Sequence, residues 1–159
     1  MVILYEAIYY LEKPEKFFQE AHGVLRDGGV LLIATVNKDW SEFNPSPFST
    51  CYFSVPELGR LLQDNGFNME FYGAFSVLPK GLKENLIALI KRTTVAFHLI
   101  PKTMKGKEFL KRVLFGKLIP LPPEIKEGMA DYDPPVELPV DKVNRDFKIL
   151  YAVGKKETK

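Results

Sequence analysis

Val24-Leu25-Arg26-Asp27-Gly28-Gly29-Val30-Leu31-Leu32-Ile33-Ala34-Thr35-Val36 is the stretch that decides the fold. Its last seven residues are almost wholly apolar, with valine at both ends, which is the pattern of a strand buried on both faces of a parallel sheet. Gly28-Gly29 sets that strand off from the residues before it. The pair reads as a helix stop, because glycine enters the left-handed conformation at low cost. It precedes a strand instead of opening a helix, so it is not a phosphate-binding loop.

Working upstream, Phe17, Phe18, Ala21, Val24 and Leu25 recur at three- and four-residue spacing and give a helix one apolar face. Pro14 suits its first turn, where a missing N–H costs nothing. Val2-Ile3-Leu4-Tyr5 is apolar throughout and reads as another buried parallel strand, starting directly after Met1. Strand, helix and strand make one βαβ unit, whose crossover is expected to be right-handed.

Working downstream, Asn37 to Phe53 is a long polar and aromatic loop. Loops of that length within a compact domain are usually functional or disordered, and its aromatic residues favour function. Ser54-Val55-Pro56-Glu57 has the capping-box spacing. The helix it opens turns Leu58, Leu61 and Leu62 inward and stops at Gly66. Phe67 to Val77 reads as a third strand and Phe147 to Val153 as a fourth. Between them the βα rhythm breaks. Leu82 to Ile100 and Met104 to Phe115 have helical patterns with basic residues on other faces, and Pro120, Pro122, Pro123, Pro134, Pro135 and Pro139 mark a loop or extended strap. The expected organisation is an α/β core over residues 1–78 and 147–154, a basic helical and proline-rich insertion over 79–146, and a tail over 155–159.

Composition bounds the chemistry. The chain has 159 residues, with 22 Lys and Arg against 20 Asp and Glu, which suits one domain. Hydrophobic residues are 46% and charged residues 26%, so disorder is excluded for the chain as a whole. The near-neutral total hides an asymmetry: residues 1–79 carry five basic and ten acidic side chains, and residues 80–127 carry eleven and four. A single cysteine, Cys51, excludes an internal disulfide and a cysteine-based zinc site. His22 and His98 have no ligand spacing, so no metal is expected and no Ser-His-Asp set can be assembled with confidence. His22 reads as a partly exposed helix residue, and Cys51 has no nearby histidine to activate it. The apolar runs are too short to span a bilayer and no signal peptide is recognisable. The expectation is a soluble, cytoplasmic protein.

One constellation stands out. In a parallel sheet, ligands bind beyond the carboxyl ends of the strands. Glu6 to Tyr10 and Asn37 to Tyr52 both leave that edge. Glu6 follows an apolar strand, where partial burial would raise its pKa and suit acid–base work. Equally, it could cap the next helix or accept backbone N–H groups.

Leu4-Tyr5-Glu6-Ala7-Ile8-Tyr9-Tyr10-Leu11, then Pro14-Glu15-Lys16-Phe17, then Val24 to Ile33, closely resembles class I S-adenosylmethionine-dependent methyltransferases. Phe53-Ser54, Glu57-Leu58, Leu61-Leu62 and Gly66-Phe67 extend the likeness into the next helix and strand. The resemblance covers residues 1–77 and the strand at 147–153, and is specific as an ordered set. It implies a partial Rossmann-like, mostly parallel sheet whose last two strands form an antiparallel edge hairpin. It also implies the carboxyl-terminal half of such an enzyme. The family's glycine-rich turn for the methionine moiety and its acidic residue for the ribose are absent from the sequence.

On this resemblance Glu6, Ala7 and Ile8 would flank the sulfonium of S-adenosylmethionine. Tyr9, Asn37, Trp40, Phe48 and Tyr52 would face a small-molecule or glycan-type acceptor. Glu6 and Tyr10 would be the residues placed to assist transfer, which rests largely on alignment of the reactants. The cofactor is expected to bind this chain weakly on its own. Three readings of the basic insertion stay open: a lid over the acceptor site, a peripheral membrane-surface helix pair, and a nucleic-acid surface. The last is disfavoured because aromatic residues are not interleaved with the basic ones. A scaffold role is the rival to catalysis, with the first strand pairing to a second copy or a partner chain.

Overall fold

The computed structural model describes residues 1–77, 112, 122–124, 126–129 and 132–157. The chain divides into two compact units, Met1–Leu78 with Asp133–Lys159, and Pro79–Tyr132. In the second unit, Lys126–Met129 forms a turn around Gly128, whose φ is 79°. The helices expected at 82–100 and 104–115 lie outside the described residues, apart from Arg112, which is helical and exposed.

The first unit carries β1 (Val2–Tyr5), a single 3-10 turn (Ile8–Tyr10), α1 (Pro14–Val24), β2 (Val30–Val36), α2 (Val55–Asp64), β3 (Phe67–Ser76), β4 (Val136–Leu138) and β5 (Phe147–Lys156). The strands form one sheet in the order β1-β2-β5-β3-β4. β1 and β2 pair in parallel, with Ile3 opposite Leu32 and Tyr5 opposite Ala34. The other pairings are antiparallel. The expected mostly parallel sheet is therefore corrected to a mixed one. β5 returns between β2 and β3, so it reverses the direction of every pairing beyond β2. β3 and β5 are antiparallel neighbours as expected, but their pair is interior, because β4 covers the outer side of β3.

β4 arises from Val136-Glu137-Leu138, within the stretch read as an insertion. Three residues between Pro135 and Pro139 carry too little periodicity to announce a strand. Residues 155–156, read as a tail, complete β5. There the Lys156 ammonium donates to the carbonyls of His22 and Leu25, both at 2.8 Å. A cation at the carboxyl end of α1 satisfies carbonyls that the helix leaves unpaired.

Local chemistry explains the helices. Pro14 opens α1, and Phe18 and Ala21 are its buried face with Leu25 just beyond its end. Gly28 does take the left-handed conformation, at φ 69°, but in the turn Arg26–Gly29 that leads into β2, since α1 ends at Val24. Ser54 and Glu57 form both halves of the capping box at the start of α2, and Leu58 and Leu62 are fully buried. These residues form one cluster with Leu31, Ile33, Phe67, Phe71, Leu138, Leu150 and Ala152. The strand members share one sheet face: Ile33 lies opposite Ala152, Ala152 opposite Phe71, and Phe71 opposite Leu138. Glycine is required where that face is tightest. A Cβ on Gly73 would lie 2.4 Å from the Phe147 ring.

The first strand departs from its reading. Ile3 and Tyr5 are 50% and 59% exposed, and only Val2 and Leu4 pack against the core. Among the described elements β1 is the edge strand and has one covered face, so an apolar run here did not signify burial on both sides.

Candidate functional site

Because β1 and β2 run parallel, their carboxyl ends open on the same edge, and the two segments that leave them meet. Thr50 joins them. Its N–H and hydroxyl both donate to the Tyr9 carbonyl, at 2.8 and 3.1 Å, and the hydroxyl also approaches the Leu11 carbonyl at 2.8 Å. Tyr9 and Tyr52 stack with centroids 5.5 Å apart. Tyr10 and Phe43 meet this pair edge-on, Tyr10 at 4.6 Å from Tyr9 and Phe43 at 4.8 Å from Tyr52. The Tyr52 hydroxyl donates to Ser49 Oγ at 2.9 Å and accepts the Ser46 N–H at 3.0 Å, which fixes its ring.

A cavity of about 270 Å³ lies here. Tyr9, Tyr10, Trp40 and Tyr52 contribute its aromatic walls, and Glu42, Asn44, Ser46, Ser49 and Lys148 contribute polar groups. The Lys148 ammonium stands 5.8 Å from the centre of the Trp40 ring. The Trp40 indole N–H is buried with no hydrogen-bond partner among the described residues.

Four of the residues singled out in the sequence thus converge: Tyr9, Tyr10, Trp40 and Tyr52. Glu6 stands beside them. Its φ of 50° is left-handed, its N–H extends the β1–β2 ladder to the Ala34 carbonyl, and its carboxylate accepts the Tyr9 hydroxyl at 3.1 Å. Glu6 is exposed, so the partial burial expected of it is absent, and it caps no helix, since Ala7 is the N-cap of the 3-10 turn. Burial, the hydrogen bond to Glu6 and the nearby negative charge push the Tyr9 phenol up to about 12. Tyr9 therefore stays protonated at neutral pH and serves as a donor, not as a base.

Ile8, Asn37 and Phe48 lie elsewhere. Ile8 is fully buried in the core, so its side chain meets no ligand. Asn37 is also fully buried. Its side-chain N–H groups donate to the carbonyls of Asn144 and Phe147 at 2.8 and 2.9 Å, tying the end of β2 to the start of β5. Phe48 is 85% exposed and does not line the cavity. The placement of Asn37 follows from sheet order, which the sequence does not display. Lys148 was missed for the same reason, because only the insertion of β5 beside β2 brings it to Trp40.

A second, open depression of about 550 Å³ lies at the other end of the sheet, beside His22, Asn65, Gly66 and Lys156. The Lys156 ammonium there is engaged by two carbonyls, and His22 sits edge-on to Phe67 with ring centres 5.4 Å apart. Cys51 is half-buried, with its sulfur toward the Ile8 and Leu11 carbonyls. Among the described residues, no group of three or more His, Cys, Asp or Glu could hold a metal ion. No helix among them is long and apolar enough to cross a membrane.

Comparison with known proteins finds a relative in Mycolicibacterium smegmatis, a probable S-adenosylmethionine-dependent methyltransferase. The two are 34% identical over 85 residues, which cover 46% of this chain. The match spans 32% of the relative, about a third of its length. No family model matches the chain.

Proposed function

We propose that this chain forms the acceptor-side part of an S-adenosylmethionine-dependent methyltransferase acting on a small-molecule or glycan-type acceptor. The observation that carries this reading is the aromatic cavity at the carboxyl ends of β1 and β2, assembled from the two segments that the likeness to that family points to. The match to the M. smegmatis protein supports it in general terms.

The cofactor fits in part. The exposed Tyr10 ring and the Glu6 carboxylate, beside the cavity, suit a cationic sulfonium. The cavity is smaller than the roughly 300–1,000 Å³ that drug-sized ligands need, so it holds one reactant and not a nucleoside as well. When bound, S-adenosylmethionine supplies a methyl group carried on sulfur. The chain's own residues hold the acceptor ring against Tyr9 and Trp40, keep water from it and orient its nucleophilic atom. Such positioning contributes several kcal/mol, up to roughly 7–11, without any residue changing its protonation. Glu6, which accepts the Tyr9 hydroxyl at the edge of that site, is the carboxylate placed to take a proton from an acceptor that must lose one, and Tyr10 lines the approach.

Protein-observed NMR titration with S-adenosylmethionine tests this reading. Saturable shifts confined to Glu6–Tyr10 and Asn37–Tyr52, at millimolar affinity, are expected. No shift at those amides would sink the proposal. Micromolar affinity would show that most of the cofactor site lies within this chain after all.

A second reading, a scaffold or partner role, has its own observation. β1 is an edge strand with Ile3 and Tyr5 exposed beside it, and it carries neither a proline nor a lysine to discourage pairing. Pairing with a second copy would appear in sedimentation velocity as a concentration-dependent dimer. A cytoplasmic setting and a peripheral membrane contact through the basic insertion are further proposals, the latter open to liposome flotation.

A further inference from the structure

The walls of the aromatic cavity come from two segments far apart in the chain, and one side chain ties them together. The turn Ile8–Tyr10 is too short to satisfy its own carbonyls. Its two bonds, from the Tyr10 N–H to Ala7 and from the Leu11 N–H to Ile8, leave the Tyr9 and Leu11 carbonyls to other donors. Thr50 reaches both. Its N–H donates to Tyr9, and its hydroxyl proton is shared between Leu11 at 2.8 Å and Tyr9 at 3.1 Å. The bonds that fix Tyr52, with Ser46 and Ser49, stay within the loop, so they set the ring in the loop and not the loop on the turn. At the base of the loop the Lys38 N–H donates to the Phe53 carbonyl at 3.3 Å. The spacing of the stacked Tyr9 and Tyr52 rings therefore depends on Thr50, two residues before Tyr52. Thr50 is itself exposed and does not line the cavity. Water can replace its hydroxyl at either carbonyl, which preserves the fold, but water does not hold the two segments together.

We infer that Thr50 is a positioning residue, on the premise that the cavity is the site of methyl transfer. Its hydroxyl latches the loop after β2 to the turn after β1, and so sets the Tyr9–Tyr52 spacing that a reactant meets. Thr50→Val keeps the branched shape and the N–H bond but removes the hydroxyl, and Thr50→Ser keeps the hydroxyl. NMR of the whole chain reads two quantities: the NOEs between the Tyr9 and Tyr52 rings, and the shifts on titration with S-adenosylmethionine. Thr50→Val is expected to lose most of the ring NOE intensity and to bind S-adenosylmethionine about three- to tenfold more weakly, the range that one hydrogen bond spans. Its urea midpoint should match wild type, because the substitution is at the surface. Thr50→Ser should restore both readouts. Unchanged ring NOEs in Thr50→Val, or unchanged affinity in a chain that binds S-adenosylmethionine, would overturn the latch and leave the methyltransferase reading intact. A Thr50→Ser chain that behaves like Thr50→Val would also overturn it, by assigning the role to the methyl group. A urea midpoint that falls in step with affinity would overturn it by making Thr50 a general stabiliser. Ring NOEs lost in Thr50→Val and restored in Thr50→Ser, with no response of wild type to S-adenosylmethionine, would support the latch and sink methyl transfer.

Discussion

The two faces of the sheet are built from similar residues and meet different fates. On one face Leu31, Ile33, Leu150, Ala152 and Phe71 lie beneath α1 and α2 and are buried. On the other, the rows run Ile3-Leu32-Val153-Glu70 and Tyr5-Ala34-Tyr151-Tyr72, and Ile3 and Tyr5 stand half exposed or more at the edge. A sheet needs a partner layer to bury an apolar face. The described elements provide that layer on one side only. The lesson is that an apolar strand states a capacity for burial, and the layers around it decide whether the capacity is used.

The largest expected effect tests that asymmetry directly. Phe71→Ala should cost about 3–5 kcal/mol, because it opens a cavity beneath both helices. Tyr151→Ala, on the adjacent strand of the same sheet but on the other face, should cost less than half of that in urea unfolding. Equal losses would break the comparison and show that the second face is covered too. Next, Gly73→Ala should cost about 1–3 kcal/mol, since its new methyl collides with the Phe147 ring on the covered face. A neutral outcome in thermal unfolding would mean that Phe147 yields freely.

Ser54→Ala removes the cap on the helix that covers this face and should cost about 1 kcal/mol. The same cap has a pH signature. Burial works against the Glu57 carboxylate, but hydrogen bonds from Lys38 and from the N–H and hydroxyl of Ser54 outweigh it and hold its pKa below the usual value of 4.5. A lowered folded pKa means the contribution is complete above the unfolded pKa and is lost as pH falls through the folded one. Wild type should therefore lose stability below about pH 4.5 more steeply than Ser54→Ala; parallel curves would remove the cap from this account. The smallest effect is expected at the open edge. Ile3→Lys should change stability by no more than about 0.5 kcal/mol while abolishing any self-association seen in sedimentation. A large stability loss would show that the edge is buried against something.

The site divides along the same line. Tyr9, Tyr10, Trp40 and Tyr52 were legible because each lies in a segment that leaves the carboxyl end of a recognisable strand. Asn37, Phe48 and Lys148 were not, because their places depend on where β5 enters the sheet and how the loop folds back. Glu6 was found, but its exposure and its bond to Tyr9 were not, since a left-handed residue after a strand has no periodic signal.

The sequence by itself determined β2, the amphipathic faces of α1 and α2, the capping box and the parallel β1–β2 unit. Those features rest on spacing and side-chain type within a few residues, and local physics is enough to read them. Only the tertiary structure decided that β5 lies between β2 and β3, that a three-residue β4 closes the far edge, that one sheet face is covered, and that Lys148 reaches Trp40. Strand pairing joins residues more than a hundred positions apart. Its outcome is chosen by the fit of whole faces, which no local pattern encodes.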